Sequence, residues 1–230
     1  MRIRIWRRRY FGENTSLIIA SIAIGVCAAL GAVALKMGVN ELTRLLHNWL
    51  FGSRRSLLVL VIPTAGILLA VLFTQWWLKG HLGRGLPAVL HAVREKKGVI
   101  EAHKMYSQVI TSILTMGAGG SAGLEAPIAS TGAAWGSNVA RWLKFDEPTR
   151  QILLACGVAA GISAIFNAPI AGAIFALEAI LVNIAIPLAV PVLIASASAA
   201  FVSSLIYKGP FVLITDSWNS KPILAEAVSG

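Results

Sequence analysis

The amino-acid sequence predicts an all-α membrane protein, and three observations predict it. Apolar residues make up 57% of the chain and charged residues 13%, too little charge to cover a water-facing surface. Uncharged runs occupy 17–35 and 56–78, and two longer runs, 105–140 and 151–207, hold a single carboxylate each. At about 1.5 Å of rise per residue, each run is long enough to cross roughly 30 Å of hydrocarbon. Glycine and proline then break the apolar sequence at 83–87, 117–123 and 167–169. Core helices of a large soluble protein would not account for four such runs in one short chain.

Taken in order, residues 1–13 form a basic and aromatic segment, with Arg2, Arg4, Arg7, Arg8 and Arg9 beside Trp6, Tyr10 and Phe11. A helix is expected from about Ser16 toward Leu46 and a second from about Leu57 to Lys79. Trp49, Trp76 and Trp77 fall where an aromatic belt meets the headgroups. The first apolar run is too long for a cleavable signal and should remain as an anchor.

The net charge of +10 is distributed as topology rather than as a nucleic-acid surface. Between the arginine-rich start and the group Lys79, Arg84, Arg94, Lys96, Lys97 and Lys104, the loop after the first span holds only Arg44, Arg54 and Arg55. Cytoplasmic loops are the richer in Lys and Arg. The N-terminus is therefore expected inside, the loop near Arg54 outside, and 79–104 inside again, in a multi-pass protein of the cell (inner) membrane. No base-reading module is visible, and no nucleic-acid partner is expected. Cys27 and Cys156 sit in apolar stretches without metal-ligand neighbours and read as small hydrophobes, so no metal site or cofactor is expected. No Ser/His pair or ligand cluster lies at membrane depth, since His47, His81, His91 and His103 fall near loops or segment ends. An enzyme is not expected.

Beyond Lys79 the breakers cut the apolar sequence into pieces, many too short to span. Each breaker group is followed by residues able to resume a helix, with proline at a tolerated early position. Gly132, Gly136, Ala168, Ala171 and Gly172 are small enough to let helix backbones approach. Glycine-mediated packing alone explains one interruption. Three, each aiming a helix N-terminus inward, favour an ion site, because broken helices persist where protein covers them or where they line a polar cavity. A helix N-terminus carries unpaired N–H groups and about half a positive charge, so converging N-termini hold an anion without a buried cation. The segments starting near Pro87 and Ala126 are the candidates to supply them. This reasoning points to a small anion without separating chloride from nitrate, fluoride or a carboxylate.

Of the ten acidic residues, only Glu125 and Glu178 lie inside apolar segments. An ionisable group at membrane depth is costly and is read first as functional. Glu125 opens a helix directly after the glycine-rich turn, where its carboxylate can occupy the place an anion would use. Burial disfavours its charged form and helix N-termini favour it, which couples its protonation to the occupying ion. The bland reading is a helix-capping carboxylate. Glu178 lies mid-helix, and hydrogen bonding to a neighbouring loop is as good an account of it.

These residues resemble a family. Gly83-Arg84-Gly85-Leu86-Pro87 resembles the GSGIP motif of CLC chloride channels and exchangers, and Gly123-Leu124-Glu125-Ala126-Pro127 resembles its GREGP motif. Ala159-Ala160-Gly161 through Phe166-Asn167-Ala168-Pro169-Ile170-Ala171-Gly172, ending at Glu178, is similar to the family's AAG…FNAPLAG…E stretch. The resemblance runs from about Leu17 to Leu213. It implies a bundle of tilted and broken helices, the first of two inverted-topology halves, in a homodimer with a pore in each subunit. The expected organisation is an interfacial segment at 1–13, the first transmembrane half at 14–208, and a polar linker at 209–230 leading to a second half.

The resemblance makes Glu125 the gate that competes with chloride, the transported ligand. It assigns anion contacts to Arg84, Gly85, Leu86, Pro87, Gly123, Leu124, Ala126 and Pro127, and a helix start to Asn167 and Pro169. Three departures from the family pattern bear on function. Arg84 replaces a serine expected at the central anion, and its guanidinium is open to two placements, toward the pore or toward cytoplasmic water. Leu124 and Ala126 replace arginine and glycine beside the gate. Glu178-Ala179 replaces the pair of glutamates of coupled exchangers, the second of which receives protons. A residue one position earlier faces about 100° away on a helix, which makes Glu178 a poor substitute. The expected function is passive anion flow through a voltage- or pH-gated channel. Its alternatives are a proton-coupled chloride or fluoride exchanger, and a truncated, non-conducting membrane fragment with an assembly role.

Overall fold

The computed structural model describes residues 13–51, 58–78, 85–180 and 189–207. Within them the chain forms eight α-helices: α1 (Glu13–Phe51), α2 (Leu58–Leu78), α3 (Leu86–Arg94), α4 (Lys104–Gly117), α5 (Glu125–Trp142), α6 (Glu147–Phe166), α7 (Pro169–Ile180) and α8 (Ala189–Ile206). No strand occurs among the described residues. The first two helices start and stop within a few residues of the expected ones. The N-terminal basic segment before Glu13, Arg84 and the 209–230 linker lie outside the described residues.

Helix lengths sort the elements. Parts of α1 (Thr15–Asn48), α6 and α8 are long and apolar enough to cross a membrane. At 39 residues, α1 is about 58 Å long and exceeds the hydrocarbon thickness unless tilted or projecting. The nine residues of α3 and twelve of α7 reach only about 14 and 18 Å. These are the broken pieces that the breakers announce.

The core is centred on α6. It is apolar around its whole circumference, as a fully enclosed helix must be, and every residue from Ile152 to Ile165 is buried. It packs against α1, α5, α7 and α8. Small residues let the backbones meet. A Cβ on Gly157 would lie 2.6 Å from the carbonyl carbon of Gly132, and one on Gly132 would lie 2.7 Å from that of Gly157. Glycine is required on both sides, and α5 and α6 touch backbone to backbone there. In α1 and α2 the outward residues Ile18, Ile22, Leu30, Ile67, Leu68 and Leu72 are exposed, a surface suited to lipid. Trp76 and Trp77 are exposed at the end of α2, with Trp77 stacked on Phe73.

Polar side chains inside the bundle are tied to backbone. Ser137 Oγ accepts from the Ile100 amide (2.9 Å) and donates to the Gly98 carbonyl (2.6 Å). Asn138 Nδ2 donates to the Ile100 carbonyl at 3.2 Å. Two adjacent residues of α5 thereby clamp the segment joining α3 to α4, which holds α3 in place.

Candidate functional site

The site is assembled from two helix starts. Gly85 precedes α3 with φ 59° and ψ −136°, a region essentially closed to residues with a Cβ. Leu86 and Pro87 then open the helix, and the Ala88 amide bonds the Gly85 carbonyl at 3.2 Å. Proline suits this first turn because its missing N–H would have had no helical partner. On α5 the first residue is Glu125, preceded by Leu124, whose carbonyl accepts the Ile128 amide at 3.2 Å.

The two starts meet. A Cβ built on Gly85 would lie 3.2 Å from Ala126 Cβ and 4.0 Å from the Ala126 carbonyl oxygen. The amides of Leu86, Glu125 and Ala126 have no carbonyl one turn earlier to bond, as at any helix start. Their partial positive charge is shared over one small region. Beside this junction the Glu125 carboxylate folds back toward Gly123, so that a Cβ there would collide with its Oε2. Glu125 makes no hydrogen bond or ion pair with the described residues and is exposed. Chemically, the junction offers backbone donors, with a carboxylate acceptor at the head of α5.

The structure brings together Gly85, Leu86 and Pro87 with Gly123, Leu124, Glu125, Ala126 and Pro127. It leaves Asn167 and Pro169 elsewhere. Asn167 ends α6 in the left-handed conformation (φ 54°, ψ 37°), which asparagine tolerates better than most residues. The chain reverses there and α7 starts at Pro169. The start of α7 sits against α6 and α8: Ser196 Oγ donates to the Pro169 carbonyl at 2.5 Å, and Gly172 closes on the Ala159 carbonyl. Of the three interruptions, two converge and the third builds the scaffold behind them. Glu178 is exposed in the last described turn of α7, and Ala179 is half-buried beside it.

Lys36 is a buried cation that sequence reasoning missed. It is 2% exposed on α1, and its Nζ donates to the Ala164 carbonyl at 2.9 Å. The available signal was a lone lysine inside a predicted long helix, ending an uncharged run at Leu35. A cavity of roughly 210 Å³ lies between α3, α4 and the segment joining them, lined by His91, Lys96, Glu101, Lys104, Gln108 and Ser130 among others. No group of three or more metal-ligating side chains occurs among the described residues.

The sequence model of the voltage-gated chloride channel family, CLC, matches residues 65–230. The chain belongs to the CLC family. Among its CLC relatives, a ClcB-like chloride channel protein of Ralstonia nicotianae is 33% identical over 190 residues, covering 76% of this chain and 43% of that protein. An H(+)/Cl(-) exchange transporter ClcA of Yersinia pestis is 32% identical over 186 residues, covering 76% and 38%. Two solved CLC structures share the fold. A slow cyanobacterial Cl-/H+ antiporter superposes with TM-score 0.72 at 21% identity, covering 92% of this chain and 52% of that one. A CLC-type fluoride/proton antiporter gives 0.74 at 24% identity, covering 95% and 53%. The chain thus spans about half the length of the CLC proteins it matches.

Proposed function

We propose that the full-length protein moves a small anion, chloride first, across a membrane along a path gated by Glu125. One observation carries the reading: the starts of α3 and α5 meet at Gly85 and Ala126, and the Glu125 carboxylate, at the head of α5, folds back toward Gly123 beside that contact. Backbone amides there can hold an anion without a neutralising side chain that would bind it too tightly to release. The carboxylate is itself an anion of suitable reach. It occupies the donors when ionised and vacates them when protonated or outcompeted. In this scheme Gly85, Leu86, Gly123, Leu124 and Ala126 supply backbone, while Pro87 and Pro127 start the helices. Arg84 adds positive charge on the approach to α3. The protein is integral to the membrane with its N-terminus in the cytoplasm, and functions as a homodimer.

Passive flow fits better than strict exchange, because Ala179 offers no proton acceptor where a second glutamate would serve. A second reading, a proton-coupled chloride or fluoride exchanger, is favoured by the exchanger names of several relatives. Reversal potentials across a pH gradient separate the two. The direct test is anion flux through the full-length protein in liposomes. Wild-type flux should rise on acidification, and Glu125→Gln should hold flux high and nearly independent of pH. A variant with wild-type flux and pH dependence would sink the gate assignment. Proton movement driven by a chloride gradient would overturn passive flow.

A further inference from the structure

Lys36 places a full charge where the surrounding positions hold apolar residues. Methionine or leucine would fill the same volume without desolvating an ammonium, so the charge must return something in exchange for that cost. Its Nζ donates to the Ala164 carbonyl oxygen at 2.9 Å. Ser203 Oγ, from α8, donates to the same oxygen at 2.8 Å. The ammonium also lies 5.1 Å above the centre of the Tyr207 ring, whose hydroxyl accepts from Asn40 Nδ2 at 2.7 Å. Three helices, α1, α6 and α8, therefore converge on one carbonyl.

That carbonyl belongs to the last turn of α6, two residues before its final residue Phe166. Carbonyls in a last helical turn lack intrahelical partners, and a cation there is favourably placed against the negative end of the helix dipole. The chain reverses immediately afterwards through Asn167 and Ala168 into α7. In turn α7 packs on α6, α8 and α3. The N-terminal end of α3 is Gly85, the residue that meets Ala126. A route of packed helices thus joins Lys36 to the Gly85–Ala126 junction.

We propose that Lys36 is a positioning residue for the anion site. It fixes the end of α6, and with it the 166–169 reversal and the placement of α7 behind α3. This inference rests on the reading of the Gly85–Ala126 junction as that site. Lys36 touches no transported ion in this account; it acts through the Ala164 carbonyl.

The test compares wild type, Lys36→Met and Lys36→Arg of the full-length protein, each purified and reconstituted in liposomes. Two quantities are read: amide hydrogen exchange in peptides covering 164–172, and chloride flux together with the chloride-to-nitrate selectivity. Losing a charged hydrogen bond should speed exchange in that segment by roughly tenfold or more. Flux should fall and selectivity should shift in the same variant, and Lys36→Arg, which keeps a charged donor, should restore all three. Wild-type exchange at 164–172 in Lys36→Met overturns the proposal whatever the flux. Faster exchange with unaltered flux and selectivity also overturns it, since the turn would then not govern the site. A general rise in exchange that Lys36→Arg does not reverse identifies a packing role only, and overturns it too. Should Lys36→Met fail to fold, Lys36→Gln, a neutral donor, takes its place under the same criteria. Absence of anion flux in wild type would instead sink the reading of the junction, while the exchange data still decide what Lys36 holds.

Discussion

Gly85→Ala puts the geometry of the junction to its most direct test. The backbone at Gly85 (φ 59°, ψ −136°) costs a residue with a Cβ about 1–3 kcal/mol. The added methyl would also lie 3.2 Å from Ala126 Cβ, a few tenths of an ångström inside ordinary carbon contact of about 3.5–4.0 Å. The two penalties act together, because relieving the torsion rotates the first turn of α3 and relieving the contact pushes that turn from α5. With only nine residues, α3 has little helix to resist either. If the flux-competent arrangement is the one with both starts in contact, a penalty of about 1–3 kcal/mol depopulates it roughly 5- to 150-fold.

Chloride efflux from liposomes at matched protein density should fall within that range. Gly98→Ala is the control. Gly98 also has positive φ (71°), a torsion that alanine rarely adopts, but its Cβ would meet Gln151 Cγ at an ordinary 3.4 Å. Flux through Gly85→Ala equal to that of wild type, or no lower than that of Gly98→Ala, would refute the claim that contact between the two helix starts forms the site.

Two further outcomes concern the scaffold. In Gly157→Ala neither clashing partner atom belongs to a side chain, so overpacking costs toward about 3 kcal/mol, less about 1 kcal/mol returned by alanine's helix preference. A net loss of about 2 kcal/mol is expected, read as a lowered thermal midpoint in detergent; an unchanged midpoint would mean that α5 and α6 are not in backbone contact. Ser137→Ala strips partners from the Ile100 amide and the Gly98 carbonyl, at about 1–3 kcal/mol for buried groups left unsatisfied. Hydrogen exchange at residues 98–101 should accelerate in that variant, whereas wild-type protection there would show that the clamp is dispensable.

The features legible in the sequence are those that local chemistry decides. Runs without charge must be helical to cross lipid, because a helix satisfies its own backbone, and α1, α2, α6 and α8 lie where those runs lie. Gly85-Leu86-Pro87 and the glycines before Glu125 mark helix starts through backbone torsion and a missing N–H, and α3 and α5 begin there. Even Asn167 announces its left-handed turn by residue type. What remained hidden depends on residues distant in the chain.

Nothing in the spacing says that the starts of α3 and α5 touch while that of α7 sits against α6 and α8. That choice is made by which small residues oppose one another, Gly132 with Gly157 and Gly85 with Ala126, across separations where no local rule operates. In the sequence Lys36 merely follows the uncharged run 17–35. Only the packed bundle places it under Tyr207 and against the last turn of α6, because a carbonyl 128 residues away supplies its partner. The amino-acid sequence determined that there would be broken helices and a carboxylate at the head of one. Tertiary packing decided which helix ends share a site, because the field of a helix terminus fades within about a turn and only contact lets two of them act together.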